Sequence, residues 1–178
     1  MKLIIAVFLF NIIFAAEAAE GFEFKGMALE SSFSDFEQNP KFNCRLPQSP
    51  LGDKICTLNY REIETIAGVP VAVMTLFFYD EKLSSIRILI KSHFFYSVRD
   101  ALIAKYGNGA ITKESVQNRA GASFENEIYI WNKEGQTLTA KRYDGKISTS
   151  LVVFELNSYV ENYAKRRKTQ GSDRSKDL

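Results

Sequence analysis

The sequence is short of cysteine, histidine, proline and net charge, and each shortage limits what the protein can be. Its 178 residues include two cysteines, one histidine and four prolines, and the formal net charge is +2. Two cysteines cannot build a scaffold held by disulfides alone, so the core must be hydrophobic. A charge this close to zero excludes the strong basic field of a dedicated nucleic-acid-binding protein. The composition, 46% hydrophobic and 25% charged, is that of one globular domain or two very small ones.

Catalytic motifs are missing as well. The chain has no Gly-x-Ser-x-Gly, no His-Glu-x-x-His, no phosphate-binding glycine-rich loop and no dinucleotide fingerprint. His93 begins a predicted helix among aromatic residues, where a capping or packing role is favoured over a catalytic one. Glu62 and Glu64 share one face of a predicted strand, which is typical of a solvated surface. One histidine and two paired cysteines cannot hold a metal, although a carboxylate-only cation site stays open. We expect no enzymatic activity, no cofactor and no metal.

The long apolar run of the chain lies at its N-terminus. Met1 and Lys2 precede an apolar segment over 3–16, which is followed by Glu17 and Ala18. One positive charge, a short apolar region and alanines at 16 and 18 predict a signal peptide over 1–18 that is cleaved after Ala18. A retained membrane anchor is the alternative, but the run is shorter than the roughly 20 residues of a spanning helix. Since no Asn-x-Ser/Thr acceptor is present, we expect a periplasmic or secreted bacterial protein.

Export decides the interpretation of Cys44 and Cys56. Eleven residues separate them, and Pro47, Pro50 and Gly52 lie between. In an oxidising compartment this spacing predicts a disulfide that closes a loop with little regular structure, a closure worth about 3 kcal/mol. A redox or nucleophilic thiol is the alternative, but there is no Cys-x-x-Cys and only one histidine that could activate a thiolate.

The sequence of the mature chain predicts a helix followed by three strands, and this order occurs twice. A first helix begins near Ser31 or Ser32 and stops at Asn39-Pro40, and a second runs from Ser92 to Tyr106 with Gly107 as its stop. A polar loop over 108–121 follows the second helix. Asp144-Gly145 is typical of a two-residue hairpin turn. The predicted strands cover 61–67, 71–79 and 83–90 in the first half, and 124–131, 137–143 and 147–157 in the second.

A short motif recurs at an interval of 64 residues. Tyr79–Ser85 and Tyr143–Thr149 both read Tyr-Asp-x-Lys-(Leu/Ile)-Ser-(Ser/Thr), and each forms the predicted turn of a hairpin. Together with the element order, the motif predicts two tandem helix-βββ repeats, over about 22–91 and 92–157. Chance convergence of two hairpin turns is the alternative. We expect an α+β domain over 19–160, with one antiparallel sheet and the helices packed on one of its faces.

These features resemble the β-lactamase inhibitor protein fold of small bacterial envelope proteins. The resemblance rests on the paired turns, on Gly26-Met27-Ala28-Leu29 before the first helix, and on Leu102–Gly107 closing the second. It covers residues 22–157 and concerns architecture rather than a site. It implies binding to other proteins without saying which ones.

Two sheet surfaces are candidates for that binding. The first hairpin is apolar on both faces, so its second face should cover a partner, a second copy or the rest of this chain. In the second half, Tyr129 and Trp131 alternate with two isoleucines. If the isoleucines face the helices, both aromatics lie outside with Arg87 and Lys141, a mixture typical of interface hot spots. If the register is shifted by one residue, the aromatics belong to the core.

The C-terminal tail carries most of the net charge. Residues 161–178 hold six basic and three acidic side chains, which leaves residues 19–160 at −1. The basic run Lys165, Arg166, Arg167 and Lys168 should extend a short helix begun near Tyr159, with disorder from Gly171 onward. The run could contact anionic lipid, lipopolysaccharide or an acidic partner, and a solvated tail is the alternative.

The sequence therefore predicts an exported, non-enzymatic protein-binding module such as an inhibitor, an immunity protein or an envelope-assembly factor. Its partner would be another envelope or secreted protein, and nucleic acid is not expected. Attachment to a membrane surface through the basic tail is the alternative function.

Overall fold

The structure is a computed structural model that describes residues 21–46, 51–118 and 120–175. The predicted signal peptide lies outside these residues. One antiparallel sheet dominates, and its strands lie in the order β1-β2-β3-β4-β8-β7-β6-β5. The α+β class with a large antiparallel sheet is confirmed. The eight strands are β1 (Phe42–Arg45), β2 (Lys54–Leu58), β3 (Val73–Tyr79), β4 (Lys82–Lys91), β5 (Ala110–Gln117), β6 (Ser123–Lys133), β7 (Gln136–Lys141) and β8 (Thr149–Leu156).

Three helices and two small ladders complete the described fold. Helix α1 spans Ser34–Glu37, α2 spans Phe95–Tyr106 after a 3₁₀ turn at Ser92–Phe94, and α3 spans Asn157–Ser175. The ladders are two-residue hairpins, one pairing Glu23–Phe24 with Met27–Ala28 and the other pairing Thr65–Ile66 with Val69–Pro70.

Each half of the chain supplies four strands to the sheet, not the three that the sequence predicts. The segment around the disulfide forms β1 and β2, and the polar loop predicted over 108–121 contains β5. All of β5 is exposed or half-buried because it pairs only with β6, so it carries no alternation of apolar residues. The strand predicted over 61–67 is wrong, since only Thr65–Ile66 pairs there.

The core lies on the face of the sheet that α1 and α2 cover, which we call the inner face. Phe33 and Phe36, at the start of α1 and within it, pack edge-on against Phe78 of β3. On α2, Phe95 packs near Tyr129 of β6. Because side chains alternate along a strand, the opposite set of residues forms a second surface, the outer face.

The two hairpin turns that carry the repeated motif differ in length. Asp80 and Glu81 form a two-residue turn between paired Tyr79 and Lys82, and both have positive φ (47° and 64°) as such turns require. The two-residue turn predicted at Asp144-Gly145 is wrong, because β7 ends at Lys141 and β8 begins at Thr149.

The second helix matches its prediction, and the third departs from it. Gly107 ends α2 with φ of 78° and donates its N–H to the Ile103 carbonyl. Helix α3 starts near the predicted position and extends to Ser175, so it is longer than the short helix that the sequence predicts. It also lies on the outer face, which corrects the expectation that the helices share one face.

Candidate functional site

Tyr129 and Trp131 lie on the inner face, so the expectation of an exposed aromatic pair is wrong and the alternative, a core position, is confirmed. They are 7% and 4% exposed. The Trp131 indole N–H donates a hydrogen bond to the Gly107 carbonyl at 2.7 Å. Gly109 lies against the ring, because a Cβ placed there would be 2.8 Å from an indole carbon. The pair therefore anchors the core under the end of α2.

Arg87 and Lys141 do lie on the outer face. Arg87 stands between Thr75 and Val153 in the register, and Lys141 between Leu151 and Ile128. Lys141 forms an ion pair with Glu114 at 2.9 Å. The cations are therefore separated from Tyr129 and Trp131. The Arg87 guanidinium lies 6.0 Å from the centre of the Phe77 ring, and aliphatic side chains also surround both cations on this face. We call the aliphatic set the outer patch; it consists of Val73, Leu89, Leu151, Val153, Ile128 and Ile130.

The outer patch lies on four strands of the sheet, β3, β4, β8 and β6, with β7 between the last two. Val73, Leu89 and Leu151 follow one another in register on β3, β4 and β8, and Val153 is the next outward residue of β8. Val73 is 42% exposed, Leu89, Ile128 and Ile130 are half-buried, and Leu151 and Val153 are buried. An apolar surface of this breadth on a sheet face is typical of an interaction surface.

Helix α3 covers part of the outer face. Tyr159 is buried in a small second core against Ile55, Phe77 and Tyr79, and its hydroxyl donates to the Leu51 carbonyl at 3.1 Å. These contacts lie on β2 and β3. Ser85 and Val153, farther across the outer face, are buried as well, whereas Val73 is exposed.

An ion pair closer to the C-terminal end of α3 attaches the helix to Asp53, which precedes β2. The Arg166 guanidinium bonds the Asp53 carboxylate at 2.6 Å and lies 4.1 Å from the centre of the Tyr79 ring. The hydrogen bond from Arg166 lowers the pKa of Asp53 below its ordinary value, although burial opposes this. The other three bases of the predicted basic run, Lys165, Arg167 and Lys168, are exposed.

Polar atoms without partners lie on the same outer face. The Ser85 hydroxyl and the Arg87 Nε are buried and have no hydrogen-bond partner among the described residues. They are two residues apart on β4 and point the same way. Glu155 pairs directly with Ser85 across the strands, and burial raises its pKa even though Arg87 opposes the shift.

A separate cluster on the inner side joins α2 to β6. Glu127 accepts hydrogen bonds from the Tyr96 hydroxyl at 2.8 Å and the Tyr129 hydroxyl at 3.1 Å. Nη1 atoms of Arg99 and Arg142 lie 3.9 and 3.6 Å from its oxygens. Burial raises the pKa of Glu127, but the two hydroxyls and the two guanidiniums outweigh it and hold this pKa below its usual range. The sequence did not indicate this cluster, because α2, β6 and Arg142 lie far apart in the chain.

The remaining predicted residues are placed as follows. Cys44 and Cys56 form the predicted disulfide and are direct cross-strand partners on β1 and β2. His93 is exposed, with its ring 4.0 Å from that of Phe94. Glu62 and Glu64 do not share a strand face, because neither lies in a strand and Glu64 pairs with Lys25. Within the described ranges, no three His, Cys, Asp or Glu side chains are grouped to hold a metal ion.

Two further results bear on the surroundings of the protein. In the part of the chain that the structure describes, no helix is long and apolar enough to cross a membrane. Comparison of the chain with protein-family models, with curated proteins and with solved structures finds no match.

Proposed function

We propose that this chain is an exported, non-enzymatic protein-binding module that acts as an inhibitor, an immunity protein or an envelope-assembly factor. Its partner is another protein of the envelope or a secreted protein. The observation that carries the proposal is the outer patch, of which Val73 is exposed and Leu89, Ile128 and Ile130 are half-buried.

The outer patch has the composition of an interface. Its aliphatic side chains are interrupted by Arg87 and Lys141, and arginine is enriched at the centres of protein interfaces. A docked protein would bury the apolar surface of Val73, Leu89, Ile128 and Ile130.

The disulfide supports the exported location. Cys44 and Cys56 are joined between paired strands, and disulfides persist in oxidising compartments such as the periplasm. No group in the described residues needs a reducing environment, since neither cysteine is free.

The same proposal includes the tandem origin of the fold. Each unit consists of a helix followed by an antiparallel meander, and the two units meet where β4 pairs with β8. The architecture resembles the β-lactamase inhibitor protein fold, which also has tandem units of a helix and an antiparallel meander. Each unit here has four strands in the sheet.

A photocrosslinking experiment tests the binding surface. A photoreactive amino acid replaces Val73 in the outer patch, and in a matched control it replaces Ile63, which is 91% exposed outside the sheet. Crosslinking in the producing cell should give a discrete product from position 73 that Leu89→Glu abolishes, and none from position 63. Equal products from both positions, or none from position 73, would count against the outer patch.

A second function is supported by the exposed bases of α3. Lys165, Arg167 and Lys168 remain at the surface while Arg166 is bound to Asp53, so three cations can contact an anionic membrane. The test is partitioning onto vesicles that contain anionic lipid. Replacing the three bases by glutamine should release the protein, whereas unchanged partitioning would end this alternative.

A further inference from the structure

We propose that α3 is a displaceable arm, which opens while the sheet stays folded and thereby uncovers further surface for the protein partner. This inference rests on the proposed function, because the surface under α3 adjoins the outer patch on the same strands. Phe77, which lies under α3, is four residues from Val73 on β3, and Ser85 is four residues from Leu89 on β4.

Few side chains attach α3 to the sheet. Among residues 157–168, Tyr159 is buried, Tyr163 and Arg166 are half-buried, and the other side chains are exposed. Tyr163 and Arg166 follow Tyr159 by four and seven residues, so the three share one narrow face of the helix. Over the same number of residues, α2 buries three apolar side chains. Because packing supplies most of the stability of a helix in a protein, α3 is held less firmly than α2.

The polar contacts of α3 add little to this attachment. The side chains of Arg166 and Asp53 are 40% and 41% exposed, and water and salt weaken an ion pair in such a position. The contact of Arg166 with the Tyr79 ring is likewise of the weaker kind found at exposed sites. The buried ring of Tyr159 is therefore the main anchor of the helix.

The surface beneath this anchor is unfavourable to cover. Tyr159 packs on Phe77, whose direct cross-strand partner on β4 is Ser85. The Ser85 hydroxyl is buried without a hydrogen-bond partner among the described residues, so it loses hydration without replacement. Glu155, on the other side of Ser85, is close enough to act on the pKa of Tyr159, and burial raises its own pKa. Opening of α3 returns both polar groups to water, which offsets part of the lost packing of Tyr159.

Opening of α3 also uncovers aromatic surface. Ile55, Phe77 and Tyr79 are each 5% exposed and pack with Tyr159 in one cluster. Aromatic residues are enriched at the centres of protein interfaces, and the neighbouring outer patch is aliphatic. The partner therefore competes with α3 for these three side chains.

Hydrogen exchange of the full, disulfide-bonded chain, measured for single amides by nuclear magnetic resonance, tests this opening without a partner. Amides over 161–166 should exchange at least about tenfold faster than the paired amides of β4, because local opening requires less free energy than global unfolding. Equal exchange of α3 and β4 would overturn the proposal.

Two neighbouring residues of α3 provide a variant and its control. Tyr159→Ala should remove most of the remaining protection of α3 while β4 stays protected. Val160→Ala, at a residue that is 45% exposed, should leave both elements as they are. Loss of protection in β4 together with α3 would mean that the helix is part of the cooperative core, which would overturn the proposal.

Two neighbouring serines test whether an unpartnered hydroxyl favours the open state. Ser85→Ala should slow the exchange of α3 about threefold or more, because no hydroxyl is then left without a partner on closing. Ser84→Ala is the control, since Ser84 is also buried but its hydroxyl donates to the Lys82 carbonyl at 3.0 Å. Exchange that is unchanged or faster in Ser85→Ala would contradict the proposed cost of covering this surface.

Crosslinking from position 73 separates this regulation from the proposed function. Relative to the amount of folded protein, Tyr159→Ala should raise the yield of the crosslinked product at least about twofold, because more of the chain is open to the partner, and Val160→Ala should not. An unchanged yield in Tyr159→Ala would overturn regulation by α3. Absence of any product from position 73 would count against the outer patch instead, and hydrogen exchange would still decide whether α3 opens.

Discussion

Ile88 and Val152 are direct cross-strand partners at the centre of the sheet, and 64 residues separate them along the chain. The same interval separates the two copies of the Tyr-Asp-x-Lys motif. When a two-fold axis relates two antiparallel strands, the residue at the axis pairs with its own equivalent. The Ile88–Val152 pair therefore lies where the axis between two tandem units would pass, which supports the proposed duplication.

Loss of the disulfide should destabilise the fold without rearranging it. Cys56 is fully buried on the inner face, and its bond to Cys44 ties the edge strand β1 to β2. We expect the double variant Cys44→Ala/Cys56→Ala to lose about 3 kcal/mol of unfolding free energy. Urea denaturation of oxidised, reduced and variant protein measures this. Identical midpoints for all three would show that the bond adds no stability.

Trp131 should behave as a core residue. We expect Trp131→Ala to lose about 3–5 kcal/mol of stability, because it leaves a large cavity beneath α2. Gly109→Ala should lose about 1–3 kcal/mol, because its Cβ would clash with the indole. Chemical denaturation followed by circular dichroism measures both. Val73→Ala, at an exposed position, is the control and should change stability by less than about 0.5 kcal/mol.

The ion pair between Asp53 and Arg166 should make the docking of α3 sensitive to acid. Because the pKa of Asp53 is lowered in the folded protein, its contribution to stability is present above the ordinary value of 3.8 and is lost as the pH falls through the folded value. Arg166→Gln should return the Asp53 pKa toward 3.8, as measured by carboxyl resonances during a pH titration. Arg167→Gln should leave the titration unchanged. A shift of the same size in both variants would rule out a specific pair.

Glu155 should reduce stability at neutral pH. Burial raises its pKa, so its contribution to stability is complete below the ordinary pKa and is lost as the pH rises through the folded value. Glu155→Gln, which mimics the protonated acid, should therefore unfold at higher denaturant concentration than the unaltered chain at pH 7 and at a similar concentration at pH 3. Glu62→Gln, at an exposed site, should have no effect at either pH. Destabilisation by Glu155→Gln at pH 7 would mean that the charge of Glu155 is needed.

Large, strongly patterned elements could be predicted from the sequence, and polar edge strands could not. Helix α2 has apolar residues at helical spacing and a glycine stop, and both were sufficient to place it. Strand β5 has charged and hydroxyl side chains on both faces, and its strand geometry comes from its hydrogen bonds to β6. Local sequence carries little information about pairing of that kind.

The candidate site could likewise be predicted only in part. Whether Trp131 or Ile130 faces the core depends on register, and the sequence left both arrangements open. The indole is inside because its N–H can reach the Gly107 carbonyl and because Gly109 leaves room for the ring. Gly107 and Gly109, which follow α2, were the sequence features that could have indicated a buried Trp131. No feature of the sequence indicated the Glu127 cluster, since it is assembled by tertiary packing alone.

The central claim, that the outer patch is the binding surface, is tested most directly by measuring affinity for the partner that photocrosslinking at position 73 identifies. The double variant Val73→Glu/Ile128→Glu places charge in the outer patch, and Ile63→Glu/Ile111→Glu places the same charge at exposed residues outside it. Isothermal titration calorimetry compares the three proteins. The outer-patch variant should bind at least about tenfold more weakly, which corresponds to a loss of about 1.4 kcal/mol of binding free energy. The control variant should bind as tightly as the unaltered chain. Equal affinity of the outer-patch variant and the unaltered chain would contradict the assignment of the outer patch as the binding surface.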